Sequence, residues 1–269
     1  MDKPLFELRG VEYSYMGKFP ALCGIDLTIE AGSKSAVIGA NGSGKSSLLA
    51  MLDALIFPDK GSIKAYGREL KGAMEQESVF ARSFRKRVGF VFQNPDVQLF
   101  CPTVREEIIF GPLQLGMEKQ QIQEQLERLV ALFGLKALLE RPAYQLSIGE
   151  KKKVAIASVL AISPEVLLLD EPTAGLDPRT TCDIIDTILA ANEEGRTVIT
   201  ATHDLHVASE IADCLHVLGR EKKIIRSGVP QEILSDERFL QEHNLIHIHR
   251  HRHDGKIHRH IHQHPHQHA

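Results

Sequence analysis

The segment GANGSGKS, Gly39 to Ser46, has the residue types and spacing that bear most directly on chemistry. It matches G-x-x-x-x-G-K-[ST] in full and lies between a predicted strand, 33–38, and a predicted helix, 45–56. Gly42 and Gly44 allow backbone N–H groups to wrap a phosphate without a Cβ atom in the way, and the helix N-terminus adds a favourable dipole. The pattern predicts a phosphate-binding loop rather than a flexible glycine turn.

Two side chains of this loop have expected roles of their own. We expect Lys45 to reach the β- and γ-phosphates of a nucleotide, and the Ser46 hydroxyl to coordinate Mg²⁺ held between the same phosphates. The nucleotide contacts predicted in this segment are Gly39, Ala40, Asn41, Gly42, Ser43, Gly44, Lys45, Ser46 and Ser47.

Two carboxylates follow a predicted buried strand in VLLLDE, residues 166–171. Ligands bind at such strand ends in open parallel sheets, so we expect Asp170 to hold the Mg²⁺ shell and Glu171 to orient the water that attacks the γ-phosphate. Taken alone, the two acids fit a helix cap equally well, and the phosphate loop decides between these interpretations. His203 follows the next such run, TVITAT, where it can hydrogen-bond the γ-phosphate.

The rest of the pattern predicts the elements that must position these residues. Segments 5–15 and 21–30 alternate imperfectly around Gly17 and predict two antiparallel strands. From 93 to 162 the chain is helix-rich, with an amphipathic period in MEKQQIQEQLERLVALFGL and Gly134 as its C-cap. The runs VLLLD and TVITATH, separated by a helical stretch, have the βαβ rhythm of a parallel sheet covered on both faces.

Composition excludes several classes of protein. The 269 residues are 43% hydrophobic and 25% charged, with a net charge of −3, so no broad basic field for nucleic acid is expected. No apolar run approaches the roughly 20 residues needed to span a bilayer. The start, MDKPLFELRG, lacks the features of a signal peptide, so we expect the protein to stay in the cytoplasm.

The chain from 241 to 269 is rich in histidine and lacks apolar periodicity, which predicts disorder in the absence of metal. Most of its histidines recur as H-x-H, which places neighbouring imidazoles on one side of an extended chain. The candidate ligands for nickel, cobalt, copper or zinc are His247, His249, His251, His253, His258, His260, His262, His264, His266 and His268. Ligand type alone does not name the metal. Interruption by Arg, Gln and Ile favours a natural metal-binding tail over a purification tag.

The segment LSIGE, 146–150, precedes VLLLDEP by a short helix, with Gln93 and His203 also in order, and together these residues resemble the ABC ATPase family. The resemblance covers nearly all of residues 1–240. It implies an α/β P-loop NTPase with an antiparallel β edge sheet, a mainly parallel core sheet and a helical subdomain inserted at about 95–162. The cofactors implied are ATP and Mg²⁺, and hydrolysis is assigned to Glu171, His203, Gln93 and Lys45.

The family resemblance also implies a head-to-tail dimer of two ATPase subunits, of one kind or of two related kinds, with two ATP molecules between them. Ser147 and Gly149 would bind the partner's ATP, although Ile148 and Glu150 depart from the usual L-S-G-G-Q. Further implied roles are adenine stacking by Tyr15, sensing of Mg²⁺ and water by Gln93, and communication across the interface by Asp177. Tyr15 fits a core residue as well, and Gln93 and Asp177 fit turn or cap residues.

The stretch from Phe90 to Met117 resembles the energy-coupling factor branch of the family, whose ATPases drive uptake of vitamins and transition metals. This implies a peripheral subunit on the cytoplasmic face of the membrane, with a transmembrane coupling subunit and a substrate-binding membrane subunit as partners. Together with the tail, it favours a nickel or cobalt importer. Vitamin import is the closest alternative, followed by a soluble ABC mechanoenzyme and by a metal-storage protein with an idle nucleotide fold.

Overall fold

The chain folds around two β-sheets, and one hydrophobic cluster joins the first sheet to one face of the second. The computed structural model describes residues 4–71, 79–253 and 256–262. Its first ten strands are β1 (Phe6–Tyr15), β2 (Phe19–Ile29), β3 (Lys34–Ile38), β4 (Lys60–Ala65), β5 (Arg68–Glu69), β6 (Val88–Val91), β7 (Val166–Asp170), β8 (Thr197–Thr202), β9 (Cys214–Leu218) and β10 (Ile224–Gly228). The first sheet is antiparallel, in the order β2-β1-β4-β5. The prediction of two antiparallel strands around Gly17, which has a φ of 65°, is confirmed.

The second sheet has the order β10-β9-β3-β8-β7-β6, in which only β10 is antiparallel to its neighbour. Alternate residues of its strands belong to different cores: Ile38 packs with one cluster and Val37 with the other. Both faces are therefore covered, which explains why these strands are almost continuously apolar. The predicted fold class, with a mainly parallel core sheet, is confirmed.

The helices cover this sheet and form the inserted region. They are α1 (Lys45–Leu52), α2 (Val79–Arg87), α3 (Val104–Gln114), α4 (Lys119–Phe133), α5 (Ile148–Leu160), α6 (Pro178–Glu193), α7 (Leu205–Ile211), α8 (Pro230–Leu234) and α9 (Glu237–Glu242). Short 3₁₀ turns occupy Pro95–Val97, Lys136–Leu138 and Ala143–Gln145. The region between β6 and β7 contains α3, α4 and α5, and β6 and β7 are neighbours in the sheet.

Two predicted helices can be compared with the structure in detail. In α4 the buried residues Ile122, Leu126, Leu129 and Phe133 recur at helical spacing, and Gly134 ends the helix with a φ of 66°, as predicted. The helix predicted over 45–56 is shorter, because α1 ends at Leu52 and Ala54 adopts a left-handed φ of 55°. That conformation is incompatible with continuation of a right-handed helix.

The histidine-rich tail contains two strands, whereas its composition predicts disorder in the absence of metal. Residues His247–His253 form β11 and Lys256–His262 form β12, and these strands pair in an antiparallel two-stranded sheet. The alternation of residue types along both segments suits an extended strand. The candidate ligands His264, His266 and His268 lie outside the described residues.

Candidate active site

The glycine-rich loop, Gly39 to Ser46, connects the end of β3 to the start of α1 at the carboxyl edge of the parallel strands. Gly44 has a φ of 111°, and a Cβ atom there would lie 2.3 Å from the carbonyl oxygen of Ala21. A Cβ at Gly39 would lie 2.5 Å from the carbonyl oxygen of Leu218. Glycine is therefore required at both positions, because any Cβ atom there would collide with a backbone carbonyl oxygen. With glycine at these positions the backbone N–H groups of the loop stay accessible to a phosphate group.

Lys45 is enclosed by its own loop. Its side chain is only 6% exposed, and its Nζ donates hydrogen bonds to the carbonyl oxygens of Gly39 and Ala40 at 2.8 and 3.4 Å. The same Nζ lies 3.5 Å from Oε1 of Glu171. Burial lowers the pKa of Lys45, and the carboxylate of Glu171 acts in the opposite direction. The arrangement holds a cation where the phosphates of a bound nucleotide would lie.

Glu171 follows β7 directly and is buried, with its carboxylate held from three sides. Oε1 lies 2.9 Å from Nδ1 of His203, Oε2 accepts from Oγ1 of Thr202 at 3.1 Å, and Lys45 is the third neighbour. Burial acts to raise the pKa of Glu171, but His203, Lys45 and Thr202 together lower it. The hydrogen bond that His203 donates to the carboxylate of Glu171 raises the pKa of His203. The site therefore keeps an oriented, ionised carboxylate at neutral pH.

Asp170, the last residue of β7, has the properties expected of a metal ligand. It is buried, and its Oδ1 has no hydrogen-bond partner among the described residues. Burial raises the pKa of Asp170, and the neighbouring Ser46 hydroxyl acts against that effect. A buried carboxylate oxygen without a partner, beside a hydroxyl, fits the all-oxygen ligand set that Mg²⁺ prefers.

Lys45, Ser46 and Glu171 border a cleft of about 430 Å³. Predicted residues that line it are Tyr15, Asn41, Gly42, Gly44, Lys45, Ser46, Ser47, Gln93 and Glu171. Tyr15 is half-exposed; its hydroxyl lies 3.0 Å from Oγ of Ser47, and its ring meets Tyr13 edge-on at 5.1 Å. Tyr15 is therefore not a core residue, and a ring face remains available to a planar group.

Several functional candidates were missed from the sequence. Phe19, Pro20 and Ala21 line the cleft beside Tyr15 because they begin β2 after the turn at Gly17. Lys222, from the loop between β9 and β10, lines it too and donates to the carbonyl oxygen of Gly42. No local motif marks Lys222, since its approach depends on the neighbouring positions of β9 and β3.

Some of the predicted nucleotide and magnesium residues do not line this cleft, namely Gly39, Ala40, Ser43, Asp170, His203, Ser147, Gly149 and Asp177. The last three belong to the starts of α5 and α6. Ser147 is the N-cap of α5 and forms a capping box with Glu150. Asp177 is the N-cap of α6 and accepts hydrogen bonds from the N–H groups of Arg179 and Thr180. The two caps are neighbours, since a Cβ at Gly149 would lie 3.2 Å from the Thr180 side chain. The interpretation of Asp177 as a helix cap is therefore correct. This role is compatible with a contact to a partner subunit as well.

No helix among the described residues combines the length and apolar character needed to cross a membrane. Among the described side chains, no group of three or more His, Cys, Asp or Glu residues is arranged to hold a metal ion.

Comparison with known proteins decides the family. The family model for the ABC transporter matches residues 22–174, more than half of the chain. This chain belongs to the ABC transporter ATP-binding family. The ABC fold explains the two sheets, the phosphate loop and the acidic strand end, and the prediction of an ATPase that uses ATP and Mg²⁺ is confirmed.

Individual ABC proteins are similar over most of their length. The nickel import ATP-binding protein NikO of Rhodobacter capsulatus is 50% identical over 246 residues, which cover 90% of this chain and 96% of that protein. The energy-coupling factor transporter ATP-binding protein EcfA2 of Methanospirillum hungatei is 43% identical over 90% of this chain and 60% of its own length.

The solved structure of cbiO1 from Clostridium perfringens, part of the ABC transporter complex cbiONQ, superposes with a TM-score of 0.77 at 32% identity. The match covers 91% of this chain and 96% of that one. The predicted resemblance to the energy-coupling factor and cobalt/nickel branch of the ABC family is confirmed by these relatives.

Proposed function

We propose that this chain binds and hydrolyses ATP to drive a membrane importer of nickel or cobalt, from a peripheral position on the cytoplasmic face. The observation that carries the proposal is the 50% identity to a nickel import ATP-binding protein, which extends over nearly the whole of both chains. A match of that extent includes the helical region between β6 and β7 as well as the nucleotide site. The cargo assignment therefore rests on more than the motifs common to ABC ATPases.

Within the site, each residue has a proposed task. Tyr15 stacks on adenine, and the loop from Gly39 to Ser47 binds the phosphates through its N–H groups and Lys45. Ser46, Asp170 and Gln93 hold Mg²⁺, which when bound neutralises charge on the phosphates.

In this proposal the residues that follow β7 and β8 act on the attacking water. Glu171 accepts a proton from, and orients, the attacking water, and the proposal is supported by its lowered pKa and fixed carboxylate. His203 holds that carboxylate through the 2.9 Å contact at Nδ1. Its other ring nitrogen is then left to hydrogen-bond the γ-phosphate. Loss of a positioned base reduces hydrolysis by about 10²–10⁴-fold.

A second ATPase subunit completes the site in this proposal, and a second copy of this chain is the simplest choice. Ser147 and Gly149 bind the ATP held by the partner, and Asp177 contacts the opposing subunit. Support comes from their position, since the exposed start of α5 and the start of α6 lie side by side, outside the cleft of their own chain. The bulky Ile148 at the third place of the signature is half-exposed and compatible with such an interface.

A groove of about 390 Å³ receives the transmembrane coupling subunit in this proposal, and a further membrane subunit binds the substrate. The groove is formed in part by the predicted Phe90–Met117 stretch, which contributes Phe92, Phe100 and Phe110, and Phe100 is 67% exposed. Exposed aromatic rings around a groove are typical of a surface that a partner helix covers. Asp53 lines the same groove and adds a polar contact.

We also propose that the histidine tail binds Ni²⁺ or Co²⁺. The strand register supports this, because His247, His249 and His251 are the backbone partners of His262, His260 and His258. Histidines opposite one another in a ladder, and two residues apart along it, can supply several imidazoles to one ion. Equilibrium dialysis of the full chain against NiCl₂ or CoCl₂ should give bound metal that is lost on truncation after Ile246.

The test of the main proposal is accumulation of nickel and cobalt in cells that carry the complete transporter. We expect Glu171→Gln to abolish accumulation of one metal, whereas Glu140→Gln, at a surface carboxylate paired with Arg105, should leave it unchanged. If neither metal is affected by Glu171→Gln, metal import is wrong. Vitamin import by an energy-coupling factor transporter would then be favoured, as the similarity to EcfA2 allows.

A further inference from the structure

Lys152 is a buried lysine close to the candidate active site. It lies on α5, five residues after the N-cap Ser147, and is only 1% exposed. Its neighbours in the run of three lysines behave as surface residues, since Lys151 pairs with Asp96 and Lys153 with Asp183. Burial of an ammonium group is unfavourable unless specific partners hold it, so the position of Lys152 calls for an explanation.

The partners of Lys152 are two backbone carbonyl groups at the active site. Its Nζ donates to the carbonyl oxygen of Gln93 at 2.5 Å and to that of Glu171 at 3.0 Å. Gln93 follows β6 and Glu171 follows β7, and these strands are parallel neighbours. One side chain on the signature helix therefore bridges the carboxyl ends of two strands, at the residues proposed to orient water and magnesium.

The hydrogen bond from Lys152 helps to hold an unusual backbone conformation at Glu171. Glu171 has a φ of 45°, a left-handed conformation that non-glycine residues rarely adopt. Its N–H donates to the carbonyl oxygen of Ala201 at 2.8 Å, and its own carbonyl oxygen accepts from Lys152. Without the ammonium group, a buried carbonyl would lose its charged donor and the peptide could relax toward an ordinary φ. The carboxylate would then turn away from the position that His203 and Thr202 now define.

We propose that Lys152 is a positioning residue that couples the signature helix to the catalytic carboxylate by holding the carbonyl groups of Gln93 and Glu171. The proposal rests on the proposed role of Glu171 in hydrolysis. Because α5 begins at Ser147, any displacement of this helix by the nucleotide of a partner subunit moves Lys152 as well. The backbone of Glu171 is thereby sensitive to occupancy of the trans site, without a direct contact between the two.

The other charged groups at this edge of the sheet are Asp170 and Glu171 at the end of β7, Lys45 on α1 and His203 after β8. Lys45 and His203 both contact Glu171. Methionine at position 152 would remove the charged donor from both carbonyl groups, whereas arginine would keep a charged donor there.

The experiment compares the purified full-length chain with Lys152→Met, Lys152→Gln, Lys152→Arg, Lys153→Met and Glu171→Gln. For each, kcat and KM of MgATP hydrolysis are measured, with ATP affinity from fluorescence titration. We expect Lys152→Met to lower kcat by about 10²-fold, because a misplaced catalytic group reduces the rate by that order, and to leave ATP affinity unchanged. Lys152→Arg should restore much of kcat. Lys153→Met should behave as wild type.

The outcomes separate this inference from the proposed function. If Glu171→Gln still hydrolyses ATP, the role of Glu171 is wrong and the inference fails with it. If Glu171→Gln is inactive while Lys152→Met keeps its kcat, only the inference is overturned. Should Lys152→Met fail to fold, Lys152→Gln decides, since a wild-type kcat in that uncharged variant would exclude a role for the Lys152 ammonium.

Discussion

Substitution of Ser147 separates two roles of one hydroxyl at the start of α5. In the single chain, Oγ of Ser147 accepts from the N–H of Glu150 at 3.3 Å, and the N–H of Ser147 donates to Oε2 of Glu150 at 2.7 Å. In the proposed dimer the same hydroxyl contacts the partner's ATP. Ser147→Ala removes both functions. Ser147→Asn removes the hydroxyl but keeps a side chain that caps helices well, so the two roles can be measured apart.

The stability effect of losing the cap can be worked out from these contacts. Replacing an N-cap serine by alanine typically costs about 1 kcal/mol. The accepting distance of 3.3 Å is long, and Glu150 keeps its bond to the backbone N–H in the alanine variant. We therefore expect Ser147→Ala to lose about 0.5–1 kcal/mol of unfolding free energy, the low part of the usual range. For a chain of this size that lowers the melting temperature by about 1–4 °C.

Two measurements test the separation. Thermal unfolding without nucleotide should place Ser147→Asn close to wild type and Ser147→Ala below it. ATP-dependent dimerisation, followed by size-exclusion chromatography with light scattering in a Glu171→Gln background, should fail in both variants and persist in Ser147→Thr, which keeps a hydroxyl. Dimerisation of Ser147→Asn at the wild-type ATP concentration would refute the trans contact and leave Ser147 as a helix cap alone.

Further predictions concern the phosphate loop and acid stability. Gly44→Ala should abolish ATP binding and destabilise the chain by more than Gly42→Ala, because its Cβ would lie 2.3 Å from the carbonyl oxygen of Ala21, whereas Gly42 has no atom within 4 Å. At Gly42 the cost of alanine comes only from the left-handed φ, which destabilises a non-glycine residue by about 1–2 kcal/mol. If Gly44→Ala and Gly42→Ala lost the same unfolding free energy and the same ATP affinity, this prediction would be wrong. Burial lowers the pKa of His216 to about 4, below its unfolded value, so the unfolded chain takes up the proton first as pH falls. Unfolding free energy should drop by about 2 kcal/mol between pH 7 and pH 5. His216→Asn, which retains a partner for Ser227, should remove most of that drop, and parallel denaturation profiles for the two proteins would refute it.

What could be predicted from the sequence is what depends on neighbours along the chain. The loop from Gly39 to Ser46 is identified by spacing, because consecutive N–H groups and the start of α1 form a phosphate site from one short segment. The strand ends at Asp170 and His203 follow from buried apolar runs, and the cap of α4 at Gly134 follows from helical period. Each of these features arises within about twenty residues of chain.

The tertiary structure alone decided which distant groups meet. Lys152 reaches Gln93 across 59 residues and Glu171 across 19, and Lys222 reaches Gly42 across 180. No local pattern distinguishes Lys152 from Lys151 and Lys153, because burial of one lysine depends on how α5 packs over β6 and β7. The same limit applies to the tail, where composition predicted disorder and pairing of β11 with β12 required knowledge of register. Spacing along the chain determines the type of chemistry, and packing determines which side chains and backbone carbonyls are placed to take part in it.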